Sequence, residues 1–389
     1  MLIYLGCSAL AAFLFNIVLQ LVGEPSLLAM AHLVFTVAIL PLIVGAITHF
    51  VPVLTRSGGP HRAVQALPVL FQVAGLLTFF HFHGWLARGA LHAAAGLLLL
   101  ACAGFVAWMI QRARRTLGKP HPGWRWYLAA VACVIVGLAI VPVMDYWPEM
   151  WLSVRLLHLH LNTLGFIGLT AIGTLQVLMP TILAGPDAEA SARLRDDLVP
   201  AVAGVFLVAL GAAVWSPAWW FVRWLLLVPG SSCLLYVVGR LGVAWSRRYG
   251  WRVIAGNGAA VSLAGALCGL LLLVAFGVAH GFGRLNGHDA VPAFIAGFLL
   301  PLVTGALTQL LPVWCTPGKR TAMRDRLHAT LGIGGVFRTF LFVAGGVALA
   351  FGQSAGLWLC VAGLLSFVVL VLRALGMLLL SATPTEKIL

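Results

Sequence analysis

The chain has 389 residues, 62% of them hydrophobic and only 9% charged, with a mean hydropathy of +1.04 and a formal net charge of +14. Soluble domains carry roughly a quarter charged residues, so this composition excludes a water-soluble enzyme and points to a chain that lives in a bilayer. The positive excess could suggest nucleic acid as a partner, but most of the 24 Lys and Arg fall in alternate loops between the apolar stretches, which is the positive-inside pattern of a membrane protein.

A spanning helix takes about 20 apolar residues. Such stretches are predicted at 2–22, 28–54, 66–84, 90–111, 126–147, 153–182, 198–215, 219–245, 253–280, 289–315, 327–351 and 355–380. The fold class is therefore an all-α polytopic bundle of 12 transmembrane helices, with almost nothing left for a soluble domain. The first stretch lacks a basic leader and runs straight into the next, so no cleaved signal peptide is expected. The charge bias places both termini in the cytoplasm.

In chain order, the second span carries His32, then twelve residues, Gly45, six residues and Pro52, ending in GAITHFVP. The third ends on His81 and His83, and the fourth begins with His92. A basic linker covers 112–125, where His121 reads as a solvated loop residue. Asp145, near the end of the fifth span, is the only acid expected inside the membrane. The sixth span repeats the pattern of the second: His160, twelve residues, Gly173, six residues, Pro180, ending in GTLQVLMP, with His158 two residues before. The polar stretch 184–197 reads as a flexible connector. The ninth span ends on His280. The tenth closes a third copy, GALTQLLP with Gly305 and Pro312, but Pro292 takes the histidine's place and His288 stands one turn before it. Pro41 and Pro301 precede their glycines by four residues and predict kinks. The eleventh span contains Arg338 and the twelfth Arg373.

The repeats recur every four spans. They predict one transmembrane domain of three pseudo-symmetric four-helix units, approximately 1–111, 126–245 and 253–380, arranged as parallel repeats about an axis along the membrane normal. Polar groups inside a bundle are costly and functional by default, so His32 and His160, at matched depth, are the leading ligand pair. His158 and His160 differ by about 200° around the helix and cannot face one site; His160 is the better match to His32. His81, His83 and His92 are further candidate metal ligands, balanced against a simple place among lipid headgroups. Arg88, Arg155, Arg223 and Arg284 are the positive groups on the histidine side, of which Arg155 and Arg284 are the candidates to serve a site. The acids near that layer are few (Glu24, Asp145, Glu149, Asp289), so nitrogen ligands dominate and favour haem or copper over calcium, magnesium or structural zinc. The seven cysteines are scattered without a CxxC, which gives no covalent haem attachment or zinc ribbon.

Twelve helices in three arcs with histidines at the outer ends of the second, sixth and tenth resemble subunit I of the haem-copper oxidases and nitric oxide reductases. The segments HLHLNTLGF at 158–166 and AIGTLQVLMPT at 171–181 are similar to the shorter NnrS family of haem- and copper-containing proteins. The resemblance implies a bacterial inner-membrane protein with haem, of the b type, and possible copper, acting in nitric oxide response, denitrification or respiratory metabolism, with other membrane or respiratory subunits as partners beside the lipid bilayer. It implies His32 as ligand of a low-spin haem, and His160 or His158 in the place of the sixth helix's metal-binding histidine. Departures from the pattern are as informative. The span 198–215 lacks the family's histidine pair, and the tenth span offers only His288. A complete binuclear oxygen-reducing centre, and a proton-pumping oxidase, are therefore not expected; any enzyme activity would be that of an oxidoreductase. Two other readings stay open: a transporter or channel for a metal ion or small solute, which the embedded Arg338 would serve, and a scaffold protein that has kept the fold without a cofactor.

Overall fold

A computed structural model describes residues 1–23 and 26–382; Glu24 lies outside the described residues. The described chain is helical, and ten helices are long and apolar enough to cross a membrane, or twelve if each of two bent pairs is counted as one span. This is the polytopic all-α architecture that hydropathy predicts. By its contacts the chain divides into two compact units, Met1–Thr181 with Pro186–Leu241, and Ile182–Gly185 with the chain from Gly242 onward. The first unit contains the first two copies of the repeat and the second unit the third.

In the first unit the helices are α1 (Leu2–Leu21), α2 (Leu27–Leu54), α3 (Arg62–Phe82), α4 (Arg88–Arg114), α5 (Gly123–Tyr146) and α6 (Pro148–Ile182), then a short α7 (Ala190–Asp196), α8 (Leu198–Ala213) and most of α9 (Trp220–Tyr249). The second unit holds α10 (Gly258–Gly281), α11 (Gly287–Cys315), α12 (Ala322–Gly332), α13 (Gly335–Ala350) and α14 (Ala355–Ser381). The repeated segments are the most enclosed spans: 50% of the apolar window of α2 and 72% of those of α6 and α11 are buried, against 28% for α9. Each repeat therefore forms the core of its surroundings rather than a lipid-facing surface.

All three repeat helices widen into a π-helix at the same place, over Leu33–Ile39, Leu161–Gly168 and Ile295–Leu299. The prolines account for part of this. Pro41 and Pro301 have no N–H, so each cancels one rung of the helical ladder and frees a carbonyl in the turn before. The Val37 carbonyl accepts instead from Gln72 Nε2 on α3, at 3.3 Å. The kinks predicted at these prolines are thus expressed as a widened turn.

What lines the π segments differs between the units. In the first, Thr36 donates to the His32 carbonyl, Asn162 to that of His158 and Thr163 to that of Leu159, at 2.6, 2.7 and 2.7 Å. In the second, Gly297 meets the backbones of Gly269 on α10 and Gly346 on α13 so closely that a Cβ on either would collide with it. The third repeat is filled by backbone against backbone, and the first is partly so, since a Cβ on Gly75 of α3 would collide with the Thr36 carbonyl.

Two sequence expectations on the basic side of the first unit need correction. The segment 184–197 is no loose connector. Within it α7 is docked: the Trp126 indole N–H donates to the Leu194 carbonyl at 2.8 Å, Arg193 is buried and paired with Asp187, and buried Asp197 meets Arg240 at 2.6 Å. Asp187, Arg193 and Asp197 are turned inward and paired, while Glu189, Arg195 and Asp196 are exposed. Nor is His121 a solvated loop residue. It is half-buried; its backbone N–H donates to Leu54 O at 2.9 Å and its Nδ1 accepts from the Gly123 N–H at 3.3 Å.

Arg338 also finds a local role. The α12–α13 pair is bent by 41°, with Gly334 in the left-handed region at φ 66°. The fully buried guanidinium reaches back to this break, donating to Ile333 O at 3.1 Å and Leu331 O at 3.3 Å, and lies 4.8 Å above the Phe367 ring of α14. A cation at a helix C-terminus offsets the carbonyl end of the dipole.

Arg338→Leu should strand those two carbonyls at about 1–3 kcal/mol each; thermal unfolding in detergent is expected to shift downward, and an unchanged midpoint would refute the clamp. Burial, with Arg195 nearby, lowers the His121 pKa from its ordinary 6.5. The unfolded chain then binds the proton more readily, so the stabilising contribution is complete above about pH 6.5 and is lost as pH falls below it. Hydrogen exchange across 115–125 and 186–197, corrected for its intrinsic pH dependence, should quicken on going from about pH 7.5 to about pH 5.5. His121→Gln should flatten that response.

Candidate metal-binding histidines

The first turn of α2 starts at Ser26, whose Oγ accepts from the Ala29 N–H at 3.2 Å and donates to the Phe82 carbonyl at the end of α3, also at 3.2 Å. One turn further on, His32 Nδ1 lies 2.7 Å from Leu28 O. Its ring stacks on Phe82 with centroids 4.4 Å apart and planes 25° from parallel. On α6, His160 repeats this geometry: its Nδ1 is 2.8 Å from Leu156 O, again four residues back. The equivalence expected from the repeat therefore holds at the level of a side-chain hydrogen bond.

His158 makes a different contact with the same chemistry. The rod of α5 breaks at Ile140, just before Pro142, and a helix end leaves carbonyls without an amide partner. One of these, Gly137 O, lies 2.8 Å from His158 Nδ1. A Cβ there would stand 2.7 Å from Asn162 Nδ2, so any larger residue would have to displace that amide. His158 and His81 both lie within electrostatic reach of His32. The structure thus brings His158 into the neighbourhood of His32, while His160 retains the matching local fold.

A carbonyl can only accept, so in each of these contacts Nδ1 carries the proton and Nε2 is left as the basic nitrogen. This is the tautomer a metal-binding histidine uses, with the outer N–H held by a carbonyl or carboxylate.

The same hydrogen bond at His81 and His280 has a further explanation. Both stand in the spacing H-x-x-G-x-L, HFHGWL at 81–86 and HGFGRL at 280–285. Both ends are Schellman caps: Gly84 N–H donates to His81 O and Trp85 N–H to Phe80 O, both at 2.9 Å, and Gly283 and Arg284 do the same to His280 O and Ala279 O at 2.8 and 3.0 Å. In each, the histidine Nδ1 closes the turn onto the leucine carbonyl, at 3.0 and 2.8 Å. At His280 the Nε2 edge packs on Gly287. The sequence signal for these caps is plain, and it gives His81 a structural task independent of any metal.

The remaining candidates are dispersed. His83 stands edge-on to Trp85 at 4.5 Å. His92 Nε2 pairs with Asp145 at 3.0 Å, and Arg88 reaches the same carboxylate at 3.5 Å. Arg155 lies 5.0 Å over Trp151. In the second unit, His288 and Arg284 are exposed, His288 on the short turn Gly287–Asp289. Among the described residues no three His, Cys, Asp or Glu side chains converge as a metal-holding group.

Comparison with family models finds no match, and no curated protein is significantly similar to the chain.

Nitrogen-15 NMR on protein labelled at histidine should report the Nδ1–H tautomer for His32, His158 and His160. An Nε2–H tautomer at His32 would remove the geometric case for it as a ligand.

Proposed function

We propose that this chain is a membrane haem protein of the NnrS kind that its sequence resembles, with His32, His158 and His160 supplying the imidazoles. Copper is the second metal that these nitrogens suit. The observation that carries the reading is the set of three ring N–H groups tied to carbonyls, at 2.7–2.8 Å, in one unit. Haem asks for only one or two axial imidazoles, whereas a histidine-only copper or zinc centre needs at least three to converge. The dispersed ligands therefore fit haem better than a compact metal cluster.

When bound, haem would supply electron transfer or diatomic gas binding, according to whether two or one of these imidazoles hold it. The protein residues have separate tasks. Leu28, Leu156 and Gly137 carbonyls hold the Nδ1 protons, and so leave Nε2 as the nitrogen that carries the lone pair in the neutral ring. The buried Leu33, Val34, Leu161 and Phe166 around the π segments exclude water from the ring nitrogens. The threefold four-helix plan, cytoplasmic termini, a bacterial inner-membrane location and a role in nitric oxide or respiratory metabolism complete the proposal. They rest on the repeat, on the charge bias and on the family resemblance.

Purified protein should show a Soret band and contain iron. His32→Ala should abolish or shift that band, whereas His61→Ala, at the exposed start of α3, should leave it unchanged. Protein without haem or copper by optical and metal analysis, even after expression with haem supplied, would sink the reading.

A further inference from the structure

We infer that Phe82 is a positioning residue for His32, and that the turn carrying it serves as a platform that fixes the plane of the His32 imidazole. Its use to the protein rests on the haem reading above; the positioning itself does not.

Leu28 O fixes the direction of the His32 Nδ1–H bond, but a single hydrogen bond leaves the ring partly free to turn, since the outer torsion of histidine is broad. The Phe82 ring, 4.4 Å away and only 25° from parallel, removes that freedom from one face. Phe82 is itself anchored twice. Its carbonyl accepts from Ser26 Oγ, the group that caps the very helix bearing His32, so the two rings share one anchor. Immediately around it, the Schellman cap and the His81–Leu86 hydrogen bond stiffen the turn. The 280–285 turn, built on the same H-x-x-G-x-L frame, has Gly281 where this one has Phe82. The frame needs no aromatic there; His32 does.

The test uses full-length protein in detergent. Cofactor-free protein with carbon-13-labelled histidine is read by NMR, and ferric haem is titrated in and followed at the Soret band. In the wild type, the Phe82 ring current should move the His32 ring protons upfield. Phe82→Leu should remove that shift, weaken haem binding about 10-fold or more, in the range expected for outer-shell partners of a metal ligand, and alter the spectrum of the bound form. Phe82→Tyr should restore both the shift and the affinity. Ser26→Ala keeps the ring but cuts its anchor; it should give a smaller change of the same kind, and it stands in if Phe82→Leu does not fold. His32 protons in their wild-type position in Phe82→Leu, or haem affinity and spectrum equal to wild type in the folded variants, would overturn the assignment. Wild-type protein that shows the upfield shift but binds no haem supports the positioning and overturns the haem reading instead.

Discussion

A backbone carbonyl that leaves its helical ladder inside a bilayer has no water to turn to and must find a donor within the protein. Much of what is distinctive in this chain follows from that constraint. Proline at 41 leaves Val37 O to Gln72. The α5 break leaves Gly137 O to His158. The bend between α12 and α13 exposes Leu331 O and Ile333 O, which Arg338 collects. Two helix ends recruit His81 and His280. At these breaks and ends histidine and arginine serve as donors to carbonyls that the helical ladder has released, whereas His32 and His160 bond to carbonyls within their own helices. For histidine the consequence is chemical as well as structural, because one nitrogen satisfied is the other nitrogen left basic.

That dual use explains how far the site was legible. The period of the repeat identifies His32 and His160 as equivalents, and the hydrogen bond four residues back is local enough for a sequence to encode. The approach of His158 to Gly137 joins two helices and depends on where α5 breaks; only the packed structure shows it. The H-x-x-G-x-L caps were legible in principle, since glycine at a helix end with histidine three residues before is a capping signal, but histidines near a membrane boundary invite a metal reading first. Arg338 is similar. As a lone cation in an apolar stretch it reads as a functional charge, and it becomes a helix-end donor once the bend at Gly334 is known.

The fold was legible at a coarser level. Apolar length marks every span, while polar composition misjudged 184–197. A segment rich in Asp and Arg can be polar outward or paired inward, and composition cannot tell these apart. The docking of Leu194 under the Trp126 indole and the burial of Arg193 and Asp197 decide it. Between the two units the contrast is likewise one of contacts rather than pattern. All three repeats have the π turn; glycines let backbones touch around the first and third, and polar side chains occupy that level in the first two.

The π segments also divide each repeat helix into two halves that are geared separately. Successive residues of an α-helix turn by about 100°, and a wider turn takes up a different angle over the same length of chain. In α6 the half bearing His158 and His160 is therefore indexed to α5 at Gly137, while the half bearing Gly173 is indexed to the same helix at Trp126. A one-residue deletion within 161–168 would not simply shorten the rod; it would swing the histidine half around its axis while the other half stayed in mesh. Length in that short stretch is thus under tighter constraint than its composition suggests.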